Sequence, residues 1–143
     1  MAVNSGQRIR VVLRWIQVKD KLEPFFKDYG EFFFRTKVTS GAMTVEHRLP
    51  EKGHWEISDH PRFSRVDKID RILFEGEPAD SMTVEMFGEE IDTLSDNDHL
   101  DPYRRHFEGA CEKWAGAYVP SDEGSEDPEE MSNWRLRYDI ELL

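Results

Sequence analysis

One cysteine, Cys111, stands in a chain of 143 residues, which excludes an intrachain disulfide and a cysteine-clustered zinc site. Long hydrophobic runs are missing too: nothing approaches the roughly 18 uninterrupted apolar residues of a membrane-spanning helix. The start, Met1-Ala2-Val3-Asn4-Ser5-Gly6, has no basic stretch leading into an apolar one, so no secretory signal is expected and the protein reads as cytoplasmic. Positive charge is scarce. Against 30 Asp and Glu there are 19 Lys and Arg, leaving a formal charge of −11. Such a chain repels nucleic acid phosphate and anionic lipid unless a local patch or a bound cation reverses the sign. Nucleic acid is therefore not an expected partner.

Catalytic signatures are also lacking. No nucleophile elbow and no phosphate-cradling glycine loop occurs. Carboxylates are abundant, yet nothing selects a pair at the fixed separation that glycoside hydrolysis requires. The five histidines, His47, His54, His60, His99 and His106, do not show the short ligand spacings of zinc sites.

What the chain does have is aromatic side chains, 12% of the total, and alternation with a period of two. Trp134, Leu136, Tyr138, Ile140 and Leu142 alternate with Arg135, Arg137, Asp139 and Glu141, so one face is buried and one is wet. Met82, Val84 and Met86 repeat the pattern, as do Phe32, Phe34 and Val38. In 8–18 the apolar phase runs through Ile9, Val11 and Leu13 and then shifts to Ile16 and Val18, which predicts a bulge or a strand buried on both faces. Strands are expected at 8–18, 31–39, 43–49, 54–57, 69–74, 82–87 and 134–142, with another through 105–119. In 69–74, Ile72 and Phe74 are expected inward and Leu73 outward. A short helical turn is expected over Asp101 to Phe107, with Asp101 as cap and Pro102 at the first position.

Many short strands broken by Gly, Pro and Asp predict an all-β fold. The expected architecture is a single antiparallel two-sheet β-sandwich of about seven or eight strands with long acidic loops. It forms one domain over 1–143, with an exposed acidic loop at about 120–132.

Acidic residues concentrate in Glu89-Glu90-Ile91-Asp92-Thr93-Leu94-Ser95-Asp96-Asn97-Asp98-His99-Leu100-Asp101. Calcium takes six to eight oxygen ligands in loose geometry, and the Asp-x-Asp spacing of Asp96 and Asp98 lets two carboxylates converge in a turn. The EF-hand template does not fit, because its turn glycine and closing glutamate would fall at Asp101 and Phe107. The same residues also serve as turn punctuation, since Asp and Asn bond their own backbone. Val18-Lys19-Asp20 and Asp28-Tyr29-Gly30-Glu31-Phe32, with Asp92, Asp96, Asp98 and Asp101 later, resemble the calcium-dependent membrane-binding β-sandwich family typified by synaptotagmin and protein kinase C. The resemblance implies calcium loops gathered at one end, with Asp20, Asp28, Asp92, Asp96, Asp98 and Asp101 as metal ligands. Bound calcium would bridge to lipid headgroups or a protein partner.

Two further surfaces stand out. Phe25 and Phe26 sit in a loop beside Lys21 and Lys27, suited to a membrane surface or partner pocket. Arg8, Arg10, Arg14, Arg35, Lys37, Arg135 and Arg137 occupy the wet sides of strands and form one basic face if those strands are neighbours. Otherwise they pair across strands with Asp139, Glu141 and Glu31. The expected function is a non-enzymatic binding module, calcium-dependent through its loop aspartates, engaging a protein partner, another copy of itself or a lipid surface. The alternatives are a structural subunit of a larger assembly without a metal site, and, third, a carboxylate-dependent hydrolase.

Overall fold

A computed structural model describes residues 6–18, 29–58, 64–91, 98–119 and 134–143, with backbone only for Tyr29, Ser58 and Asp98. Eleven strands occur among them: β1(Ile9–Val18), β2(Tyr29–Ser40), β3(Met43–Leu49), β4(Trp55–Ser58), β5(Arg65–Val66), β6(Arg71–Gly76), β7(Ser81–Glu90), β8(Asp98–His99), β9(Tyr103–Glu108), β10(Gly116–Tyr118) and β11(Trp134–Leu142). In the first sheet β11 lies between β10 and β1, and both β5 and β6 pair with the far side of β1. In the second, β3 and β4 share one side of β2, β7 lies on the other, and β8 and β9 pair with β7. All pairings are antiparallel. The fold is the expected two-sheet β-sandwich.

Alternation sets which residues meet between the sheets. Trp134, Leu136, Tyr138 and Ile140 of β11 are buried against Phe32, Phe34 and Val38 of β2 and Met82, Val84 and Met86 of β7 in one apolar cluster. Each large side chain so buried contributes about 1.5–3 kcal/mol. The phase shift in β1 is a bulge: the register with β11 slips between Leu13 and Trp15, so Leu13 and Ile16 both face inward. A second slip, between Val11 and Val12 against β6, corrects the expectation for 69–74. Leu73 and Phe74 are buried, and Ile72 is the one left 40% exposed.

A second correction concerns Asp101 to Phe107. Instead of a helical turn, Tyr103–Glu108 is a strand whose six residues pair along β7 from Met86 to Ser81, with Tyr103 and Phe107 buried. The pairing and the burial of two aromatics outweigh the local Asp-Pro cap signal. The helical turn among the described residues is the 3₁₀ segment Cys111–Trp114.

The register also gathers chain ends. Val18 pairs with Trp134 and donates its N–H to the carbonyl of Ser64, Tyr29 pairs with Ser58, and Glu90 pairs with Asp98. Trp134 stacks on Phe34 across the sandwich, with centroids 5.5 Å apart. The described residues that flank 19–28, 59–63, 92–97 and the C-terminal side of 120–133 therefore stand at one end of the molecule.

Candidate functional site

The outer face of the second sheet holds a cavity of about 750 Å³, built by four strands in register. Phe33, Arg35 and Lys37 of β2 point outward, because the even-numbered residues of that strand fill the core. Arg48 of β3 lies opposite Arg35, and Glu46 opposite Lys37. On the other side Glu89, Phe87 and Glu85 of β7 face Phe33, Arg35 and Lys37, and His99 of β8 faces Glu89.

Phe33 is buried despite its outward direction, because guanidinium groups cover it. The Arg48 guanidinium carbon lies 4.5 Å from the ring centroid and that of Arg35 5.4 Å. Such a contact is worth about 0.5–1 kcal/mol at an exposed site. Arg48 is fixed further, donating to the carbonyls of Pro50 (2.8 Å) and Gly53 (2.8 Å). Phe87 stays 40% exposed on the cavity floor. Among the described residues no carboxylate forms an ion pair with Arg35, Lys37 or Arg48, whereas two of the three lining glutamates are engaged: Glu85 by Arg104 at 3.7 Å and Glu89 by His99, when that imidazole is protonated, at 3.5 Å. The cavity thus offers unpaired cations, an exposed ring and a partly neutralised acidic side. His47 also lines it. Burial pushes its pKa below the usual histidine range, nearby Arg71 lowers it further, and Glu51 opposes the shift.

A second constellation sits on β2 and β4. Glu31 and Glu56 are directly opposed across the strands, and the His54 Nε2 lies 3.9 Å from Glu31 Oε1. The ligand-capable atoms of all three lie within 4.8 Å of one another. Sequence reasoning missed this group because it depends on which residue of β4 faces which residue of β2, and histidine spacing along the chain carries no such information.

The residues expected to bind fall into three groups. Asp20, Asp28, Asp92 and Asp96, with Phe25 and Phe26, lie outside the described residues. The backbone of Asp98 opens β8 beside Glu90, and Asp101 is half-buried, its carbonyl accepting from Trp134 Nε1 at 2.6 Å. Arg8, Arg10, Arg35 and Lys37 are separated by the fold. Arg35 and Lys37 line the cavity, while Arg10 belongs to the first sheet, pairing with Glu75 at 3.0 Å, and Arg8 lies just before its strand β1. The single basic face does not form, because β2 is not a neighbour of β1 or β11. On the first sheet Arg14 instead gathers Asp139 at 2.8 Å, Asp70 at 3.1 Å and Glu141 at 2.6 Å. Its pKa is raised, chiefly by the hydrogen bond to Asp139. No helix among the described residues is long and apolar enough to cross a membrane.

No family model and no curated protein matches the chain. Among solved structures, the C2A domain of a plant Extended Synaptotagmin 1 is similar: the match covers 99% of this chain and 95% of that one, with a TM-score of 0.53 and 6% identity. The fold is accordingly a C2-like β-sandwich.

Proposed function

We propose that this chain is a non-enzymatic docking module that engages the anionic headgroups of a lipid surface through the cavity on its second sheet, assisted by calcium held at the loop-bearing end. The observation that carries the reading is the set of unpaired cations: Arg35, Lys37 and Arg48 stand around Phe33 and Phe87 without a carboxylate partner among the described residues, in a chain whose formal charge is −11. A phosphate group suits this arrangement, since guanidinium forks donate two parallel hydrogen bonds to it. The exposed Phe87 supplies apolar contact beside the charge.

The carboxylate donors Asp20, Asp28, Asp92, Asp96, Asp98 and Asp101 are the oxygen-rich set that calcium takes. Support for their acting together is the convergence at one end of the residues that flank 19–28 and 92–97. Bound calcium neutralises several of these charges, allowing an acidic molecule to approach an anionic surface with Phe25 and Phe26 leading. Cytoplasmic placement accords with this reading.

Vesicle co-sedimentation tests it. Vesicles of phosphatidylcholine alone, and with phosphatidylserine and a phosphoinositide, are compared in calcium and in chelator. Binding to the anionic vesicles is expected, weakened several-fold in Arg35→Gln with Lys37→Gln, and weakened separately in calcium by Asp96→Asn. Equal, negligible binding in every arm overturns the proposal in favour of a structural subunit of an assembly. Binding indifferent to calcium removes the cation from the mechanism and leaves the cavity.

A further inference from the structure

Outside the cavity, the most specific chemistry among the described residues is the trio on β2 and β4. Antiparallel register places Glu31 directly opposite Glu56. Like charges in that position destabilise a sheet. Neither carboxylate has a Lys or Arg ion pair among the described residues; the neighbour that approaches is His54, whose Nε2 lies 3.9 Å from Glu31 Oε1. Two carboxylates and one imidazole, drawn within 4.8 Å, form a mixed oxygen–nitrogen donor set.

From this geometry we infer that Glu31, His54 and Glu56 bind a divalent transition metal of the zinc class. The imidazole decides the class. Calcium and magnesium take all-oxygen shells, whereas zinc accepts His nitrogen and carboxylate oxygen at about 2.0–2.2 Å. Three protein ligands leave a fourth position for water, and the exposure of His54 and Glu56 turns it toward solvent. The scaffold suits the task. Glu31 is fixed in β2, where its carbonyl accepts from the Ile91 N–H at 2.8 Å, and Glu56 is held by the β2–β4 ladder. The metal cancels the repulsion between opposed glutamates and ties short β4 to β2 through side chains as well as backbone. The site is independent of the loop aspartates and of the lipid reading, and it takes a different cation.

Isothermal titration of chelator-treated full-length protein with zinc and, separately, with calcium tests the assignment, with cobalt(II) absorption reporting nitrogen–oxygen coordination. One zinc per chain is expected, with a rise in melting temperature and a cobalt spectrum, all surviving Asp96→Asn. His54→Ala and Glu56→Gln, at exposed positions where folding is insensitive, should each weaken zinc by at least the roughly 10–100-fold that loss of a mere outer-shell partner costs. His106→Ala serves as control, since His106 beside Glu108 (3.0 Å) is another surface histidine–carboxylate pair. Stoichiometric zinc in the wild type that persists in His54→Ala overturns the assignment, as does the absence of zinc binding or loss of the zinc only in His106→Ala. A calcium response abolished by Asp96→Asn bears on the loop reading alone, so the two proposals fail separately.

Discussion

Trp134→Phe probes the joint between the two sheets at the end where Val18, Ser64 and Trp134 meet. The indole is fully buried, stacks on Phe34 with centroids 5.5 Å apart and planes 21° apart, and donates its N–H to the Asp101 carbonyl at 2.6 Å. Phenylalanine keeps a ring for the stack but loses that hydrogen bond, about 0.5–1.5 kcal/mol. It also leaves the space of the second ring. Complete truncation of a buried Trp costs about 3–5 kcal/mol, and retention of one ring leaves a cavity share of about 1–2 kcal/mol. The sum is about 1.5–3.5 kcal/mol, a fall in melting temperature of roughly 3–14 °C for a domain of this size. Trp55 supplies the internal comparison, because it contacts the same Phe34 at 6.1 Å but is half-buried and tilted by 42°. Its change to Phe should cost under about 1 kcal/mol, as at other sites away from buried networks. Urea unfolding followed by far-ultraviolet circular dichroism measures both without relying on Trp emission. Equal losses in the two variants, or a loss below about 1 kcal/mol in Trp134→Phe, refute the claim that this indole joins the sheets.

Three other outcomes are expected. A Cβ at Gly88 would meet Leu100 Cδ1 at 2.6 Å and the Phe34 ring at 2.9 Å, so Gly88→Ala should destabilise by about 1–3 kcal/mol in the same assay through overpacking. The pKa of His47 is lowered in the folded state, mainly by burial, so the unfolded chain binds more protons; stability should fall as pH drops through the unfolded value of 6.5 toward the lower folded one, and less steeply in His47→Gln, as read by melting temperature between pH 7.5 and 5. Cys111 is buried and its thiol is pushed up by burial and by Glu112, so reaction with a thiol reagent should be slow in the native protein and rapid in denaturant; fast native labelling would contradict the placement of the 3₁₀ turn.

The architecture was legible because sandwiches write their burial into a period of two. β7 follows it throughout, β11 as far as Ile140 and β2 except at buried Phe33, and the slip in β1 shows in the sequence as a shift from Leu13 to Ile16. Legibility failed where long-range pairing outweighs a local signal. Asp101-Pro102 is a sound helix start, yet Tyr103 and Phe107 gain more by pairing along β7 and facing the core. The slip between Val11 and Val12 is likewise invisible to a reading of 69–74 alone, although it decides that Leu73 and not Ile72 is buried. The candidate sites were half legible for a related reason. Arg35 and Lys37 announce an outward basic row, but Arg48, Phe87 and the Glu31–His54–Glu56 trio join only through register.

Charge on this molecule is divided by sheet, and the division bears on function more than the total does. On the first sheet cations and carboxylates satisfy one another: Arg14 takes three partners, Arg10 takes Glu75, and Arg137 shares Asp139 at 3.1 Å. An arriving anion must displace those partners, and exposed pairs of this kind contribute only about 0–1 kcal/mol each, so the face is cohesive without being a strong attractor. On the second sheet the guanidinium groups of Arg35 and Arg48 lie over the face of Phe33, which fixes their position without an ion-paired carboxylate among the described residues. An anion docking there meets cations already ordered by a ring and, for Arg48, by two carbonyls, so little side-chain entropy remains to be lost. A net charge of −11 keeps the free molecule away from anionic surfaces at long range, and within a Debye length of about 8 Å at physiological salt the local cations decide the contact. On the proposed reading, a divalent cation on Asp20, Asp28, Asp92, Asp96, Asp98 and Asp101 would relieve the long-range repulsion and the cations of the cavity would make the contact, as successive stages of one docking event.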